Sequence, residues 1–283
     1  MKIRQLLLFL VLLCVILLSC GAETLPADVP LRIYFLDVGQ GDCILIRTHK
    51  GDVLIDSGPD DAQTQLCMRL QQLGVRELQL AIFTHGDEDH IGGGDGVLDS
   101  IPTQKIWLPF VDTEDNRDCL TRLLTVAKDK NIKVESVTAG NTFLIGTSTL
   151  TVLSPFDGEN LDSNDGSIII KLTCGNATAM FFGDAGAKTE ALLLERYARS
   201  QLNCDLYKAG HHGSSTSGSA KLLEAMSPDF AVISCAAGNS YGHPHGVTLA
   251  RLSDVGAMIL RTDLLGEISF DCNGEEFVLR NKN

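Results

Sequence analysis

Residues 84–93 read THGDEDHIGG and bring His85, Asp87, Asp89 and His90 within six positions. This density of metal-ligand side chains constrains the fold because of its setting. The apolar run Leu78-Gln79-Leu80-Ala81-Ile82-Phe83 precedes it and has strand length. Gly92, Gly93 and Gly94 close it and are expected to free the backbone for a sharp turn. The ligand-type residues should therefore sit on a loop at a strand's C-terminal end, where a rigid sheet can hold them for chemistry. Imidazole nitrogen and carboxylate oxygen together suit a borderline cation such as zinc. The alternative is an acidic, solvated loop with incidental histidines.

The other histidines favour the metal reading. Of seven, six form three close pairs: His85/His90, His211/His212 and His243/His245. Convergence on one site explains that spacing better than three unrelated surface clusters. His49, in Thr48-His49-Lys50-Gly51-Asp52, reads instead as a solvated residue of a hairpin turn. Asp184 follows another strand-like run, Ala179 to Gly183, and reads either as a ligand or as the cap of a helix from Ala187.

With 283 residues and 44% hydrophobic content the chain can bury a large core, and no linker-like composition shift divides it. Residues 1–20 form an expected leader: Lys2 and Arg4, an apolar run over 6–18, then Ser19 and Cys20. Thirteen apolar residues are too few to span a bilayer comfortably. Leu17-Leu18-Ser19-Cys20-Gly21 resembles a lipobox, so lipid on Cys20 would anchor an exported lipoprotein facing the periplasm or cell exterior. A plain cleaved signal and an uncleaved anchor are the other readings. Residues 21–30 then form a short linker and 31–283 one hydrolase domain. The remaining seven cysteines are widely spaced and read as structural.

Charge argues against one obvious partner. The net charge is −13, and without Lys2 and Arg4 the 36 acidic residues face 21 basic ones, giving −15. Nucleic-acid binding rests largely on phosphate neutralisation, so this chain has no global attraction for DNA.

Short apolar runs near 31–36, 43–48 and 53–56 predict an opening meander, followed by a helix carrying Ala62, Leu66, Leu70 and Leu73. Further strands are expected near 105–108, 133–137, 142–145, 149–153, 167–174, 177–182, 205–209 and 230–234. Helices are expected around Leu120–Ala127, Ala187–Ala198 and 220–226. Helices covering two strand layers give an α/β (α+β) chain arranged as a four-layer αββα sandwich.

Six ordered motifs now coincide: Leu36-Asp37-Val38-Gly39-Gln40-Gly41-Asp42 with Leu54-Ile55-Asp56-Ser57-Gly58, the 84–93 loop, Asn164-Asp165-Gly166-Ser167, Phe182-Gly183-Asp184, Lys208-Ala209-Gly210-His211-His212-Gly213-Ser214, and Tyr241-Gly242-His243-Pro244-His245. From about residue 31 onward the chain resembles a metallo-β-lactamase-fold hydrolase, and more narrowly the exported metallohydrolase domain of the ComEC competence family. Asp87 stands where the general HxHxDH pattern has its middle histidine, as in the ComEC type. ComEC proteins carry membrane-channel and oligonucleotide-binding-like domains that residues 1–283 are not expected to contain, so the resemblance implies no DNA-uptake role here. Asn164 and Asp165 occupy the region of the fold's usual third-motif histidine.

The resemblance implies two divalent cations, zinc first and manganese second, since each His-to-Asp exchange hardens a site. His85 and Asp87 would bind one cation; Asp89, His90 and His211 would bind the other, with Asp184 bridging. His212 would contact substrate or support the ligands, Asp89 would also act in catalysis, and His243 would serve as general acid or phosphate contact. Asp37 and Asp56 would orient ligands or close turns. The implied activity is a phosphodiesterase or nuclease using hydroxide activated by the metals. DNA and a cell-envelope polymer are the candidate substrates. A lactone, thioester or β-lactam-type amide is a second substrate class, and a non-catalytic surface-anchored binding protein with a structural metal is the reading from outside enzymology.

Overall fold

The computed structural model describes residues 23–109, 118–159 and 161–280. The leader, Cys20 and the start of the expected linker lie outside the described residues. Fifteen strands are described. The first six are β1 (Leu31–Phe35), β2 (Ile44–Thr48), β3 (Gly51–Ile55), β4 (Leu78–Ile82), β5 (Lys105–Leu108) and β6 (Lys133–Ser136). Then come β7 (Thr142–Ile145), β8 (Ser148–Ser154), β9 (Ile169–Cys174), β10 (Ala177–Phe181), β11 (Leu206–Lys208), β12 (Phe230–Ile233) and β13 (Met258–Arg261). The last two are β14 (Ile268–Cys272) and β15 (Phe277–Leu279).

These make an eight-stranded sheet in the order β15-β14-β1-β2-β3-β4-β5-β6 and a seven-stranded sheet in the order β13-β12-β11-β10-β9-β8-β7. Period-two alternation explains how they stack. In β1, Leu31, Ile33 and Phe35 point into a core between the sheets, where they meet Ile170, Leu172, Phe181 and Phe270. Tyr34 points the other way, with Leu45, Leu54 and Ala81, against the helices Gln63–Leu73, Gly94–Ser100 and Asp118–Asp129. On the far side Met180, Tyr207 and Ile233 pack under Ala187–Arg196, Ala220–Met226 and Gly246–Asp254. Helix, sheet, sheet, helix is the expected four-layer αββα sandwich. Each large apolar side chain buried this way contributes roughly 1.5–3 kcal/mol.

Four parallel strands end each sheet, β3 to β6 in one and β10 to β13 in the other. In such sheets ligands bind beyond the carboxyl ends of the strands. The loops after β4, β10, β11 and β12 carry the metal-type motifs and open at the same edge. The seven described cysteines are free thiols, and all but the half-buried Cys67 are buried. His49 is exposed in the β2–β3 turn, as read from the sequence.

Gly92 and Gly93 form the expected turn, between the short helix Glu88–Ile91 and the helix Gly94–Ser100, but at right-handed φ of −55° and −79°, which do not themselves require glycine. They are glycines because other segments press against them. A Cβ on Gly92 would lie 2.4 Å from the Asp60 nitrogen, and one on Gly93 would lie 2.6 Å from the Ser57 carbonyl oxygen.

Candidate metal centre

Asp184 lies just past β10, almost wholly buried, and its two carboxylate oxygens face different groups of histidines. Its Oδ1 is 3.1 Å from His90 Nε2 and 3.5 Å from His212 Nε2. Its Oδ2 is 3.5 Å from His211 Nε2 and 4.0 Å from His85 Nε2. Asp87 adds Oδ2 at 3.6 Å from His85 Nε2, and Asp89 adds Oδ2 at 3.1 Å from His212 Nε2. The structure thus gathers His85, Asp87, Asp89, His90, Asp184, His211 and His212 around one carboxylate. Asp184 is not a helix cap. The carboxylate of Asp165 takes that role, accepting from the Gly186 and Thr189 amides at 3.0 and 3.2 Å.

The partners behind the histidines fix which nitrogen faces the cluster. His90 Nδ1 is 2.8 Å from Asp56 Oδ2, and Asp56 also accepts from the Thr84 amide at 2.7 Å and its hydroxyl at 2.8 Å. His212 Nδ1 is 3.0 Å from the Ser234 carbonyl oxygen, which can only accept. Both rings therefore carry a proton on Nδ1, and in the neutral tautomer each presents an Nε2 lone pair. Those two Nε2 atoms stand 3.3 Å apart and face carboxylate oxygens. Lone pairs set against lone pairs repel unless a proton or a cation lies between them. His85 Nε2 and Asp184 Oδ1 are likewise buried without a hydrogen-bond partner among the described residues. The donor set fits a divalent cation.

Electrostatics point the same way. Burial alone would lower His212, but the carboxylates of Asp184 and Asp42 outweigh it and hold the imidazole up at about 10. Burial likewise opposes the charged form of His90, yet Asp184 and Asp56 raise it well above its ordinary value. Asp184, which burial would raise, is instead held well below the carboxylate range by His90 and His212. The cluster strongly attracts positive charge.

His211 and His212 take up their positions through an unusual backbone. Both are left-handed, at φ 48° and 52°, a conformation that costs non-glycine residues of order 1–3 kcal/mol each. Gly213 follows at φ 81°, where a Cβ would come 2.7 Å from Pro244 Cβ. The loop is held by the buried carboxylate of Glu190, which accepts from the Gly218 and Ser219 amides at 2.6 and 2.9 Å. Sequence reasoning set His211 beside Asp89 and His90. The structure places His212 there instead, and His211 on the opposite, Oδ2 side with part of its ring exposed.

His243 stands at the rim, its ring 5.7 Å from that of His211 and 6.3 Å from that of His212. Desolvation and the neighbouring histidines lower it to about 4, so it is neutral near pH 7. Asp56 orients a ligand-type histidine, whereas Asp37 is exposed and closes a turn by accepting from the Gly39 amide at 3.2 Å.

Two supporting residues carried no assigned role in the sequence reading. Lys208 is fully buried and donates to Asp42 Oδ2 at 2.7 Å and to the Ala209 carbonyl oxygen at 2.9 Å. Asp42 is close enough to form, with His90, Asp184 and His212, a group of ligand atoms all within 4.8 Å of one another. Its orientation separates it from the others. Asp42 Oδ1 faces His212 Nδ1 at 3.3 Å, the side of the ring turned away from Asp184, so Asp42 positions His212 from behind.

Comparison with known proteins adds independent findings. A model of the Metallo-beta-lactamase superfamily matches residues 36–237. Competence protein ComA of Neisseria gonorrhoeae is 31% identical over 261 residues, covering 90% of this chain and 35% of that protein. ComE operon protein 3 of Bacillus subtilis (strain 168) is 26% identical over 257 residues, covering 84% of this chain and 33% of that protein. The chain thus spans about a third of the length of these curated relatives. Among solved structures, the metallo-beta-lactamase fold protein YhfI from Bacillus subtilis aligns with TM-score 0.54 at 12% identity, covering 82% of this chain and 96% of that one. CmlA, a diiron beta-hydroxylase from Streptomyces venezuelae, aligns with TM-score 0.58 at 15% identity, covering 88% and 55%. At these identities the two solved structures share the fold with this chain and carry nothing about its reaction.

Proposed function

Because the chain belongs to the metallo-beta-lactamase superfamily, we propose that it is a metal-dependent phosphodiesterase acting at a dinuclear centre. The observation that carries this reading is Asp184, whose two oxygens face separate donor groups at 3.1–3.5 Å and 3.5–4.0 Å. Asp89, His90 and His212 would hold one cation and His85, Asp87 and His211 the other, with Asp184 shared. His211 on the Oδ2 side would supply the imidazole that the 164–165 region lacks. When bound, such cations lower the pKa of a water and take up negative charge at phosphorus.

The chain's own residues do the rest. Asp56 and the Ser234 carbonyl lock the His90 and His212 rings, and orienting contacts of this kind tune a metal site strongly. Neutral His243 donates a hydrogen bond to a phosphoryl oxygen at the rim, which favours the phosphate-contact role over that of a resting general acid. A carboxylate at position 87 gives the donor set of His85, Asp87 and His211 more oxygen character, which admits manganese beside zinc. Similarity to Competence protein ComA favours a nucleic-acid phosphodiester over a β-lactam.

The test is a metal-by-substrate screen on purified protein. Zinc- or manganese-loaded protein should hydrolyse bis-p-nitrophenyl phosphate and leave nitrocefin almost untouched, and Asp184→Ala should abolish turnover. Nitrocefin turnover exceeding that of the phosphodiester would replace this reading with the amide or lactone one. No turnover with any metal would favour the non-catalytic binding protein.

A further inference from the structure

Tyr241 is 65% exposed, an unusual state for a large aromatic ring beside a buried polar centre. It is not loosely placed. Its ring stacks on His243 at 5.6 Å with 22° between the planes, and His243 in turn meets His211 at 5.7 Å. A file of rings thus leads from the Oδ2 side of Asp184 out to solvent. The turn beneath Tyr241 is tied down at both ends. Asn239 Nδ2 donates to the Ala236 and His243 carbonyls at 2.9 and 2.7 Å, and its Oδ1 accepts from the His243 amide at 2.9 Å. The Ala236 amide is bonded to Gln40 Oε1 at 3.2 Å, and the His245 amide to the Gly213 carbonyl at 3.0 Å. Tyr241 lies nearly parallel to His243 in an offset contact, and most of its ring faces solvent above this tied turn.

We propose that Tyr241 is the stacking platform for a base of a single-stranded oligonucleotide whose phosphodiester lies at the Asp184 centre. The inference rests on the phosphodiesterase reading and names its substrate class. At −13 the chain has no general hold on phosphates, so recognition of a strand would fall to its bases. Stacking on an aromatic ring needs no positive charge, tolerates any base, and requires bases freed from a duplex. Because Tyr241 stands one ring further out than His243, the base it holds belongs to a neighbouring nucleotide rather than to the one whose ester breaks.

The experiment compares wild type, Tyr241→Ala and Tyr241→Trp on three substrates: methyl p-nitrophenyl phosphate, a short thymidine oligonucleotide, and an abasic oligomer of equal length. Tyr241→Ala should raise the oligonucleotide KM about tenfold with kcat changed less than about twofold. The ratio of oligonucleotide to methyl-ester kcat/KM should fall by the same factor, Tyr241→Trp should restore it, and the abasic oligomer should show no such dependence. An unchanged oligonucleotide KM, or an equal loss on the abasic oligomer, overturns the platform and leaves the phosphodiesterase reading standing. If wild type hydrolyses none of the three, the phosphodiesterase reading itself fails and the platform falls with it.

Discussion

His212→Ala is expected to lower bis-p-nitrophenyl phosphate turnover by about a thousandfold and to remove one of the two cations proposed at Asp184, whereas His211→Ala should cost only about ten- to a hundredfold. The two residues are adjacent and share a left-handed backbone, yet their surroundings differ. His212 is wholly buried, and its Nε2 lies 3.1 Å from Asp89 Oδ2 and 3.3 Å from His90 Nε2. His211 is partly exposed and approaches the cluster only through Asp184 Oδ2 at 3.5 Å. Losing it loosens one cation without dismantling its donor set, so excess metal should recover much of the activity of His211→Ala and none of that of His212→Ala. Steady-state rates across a metal titration separate the two. Equal losses with equal recovery would show that the rings are interchangeable.

Lys208→Met is expected to destabilise the fold by about 3–5 kcal/mol, the usual cost of leaving one member of a buried ion pair alone. Lys208 Nζ donates to Asp42 Oδ2 at 2.7 Å with neither side chain more than 1% exposed. Without the ammonium, Asp42 keeps a carboxylate in a dry site behind His212. For a chain of this size the melting temperature should drop on the order of 10 °C. Adding Asp42→Asn should return part of the loss, because the orphaned charge is then gone and the two effects are not additive. A melting temperature for Lys208→Met within about 1 °C of wild type would show that the pair contributes little.

Much of this was legible in the sequence, for identifiable reasons. Ligand-type residues crowded after the apolar strand 78–83 cannot be explained by packing, so the 84–90 loop announced itself. Side-chain roles that depend on distant partners did not. Asp184 and Asp165 are both acidic residues near the helix that begins at Ala187, and only the folded chain shows that Asp165 caps it while Asp184 turns to the histidines. The choice between His211 and His212 was hidden because both adopt a left-handed backbone, which local pattern does not predict for histidine. Gly92 and Gly93 signalled a turn by type, but the approach of residues 57–60 is a tertiary fact. The pairing of β14 with β1 joins residues 31 and 272, a separation over which local pattern carries no information.

The central claim is that Asp184 lies between two cations. Anomalous diffraction from crystals grown with manganese or zinc tests it directly. Two peaks are predicted, one among Asp89, His90 and His212 and the other beside His85 and Asp87, each within coordination distance of a different Asp184 oxygen. A single peak, or any peak that Asp184 does not touch, would contradict the account.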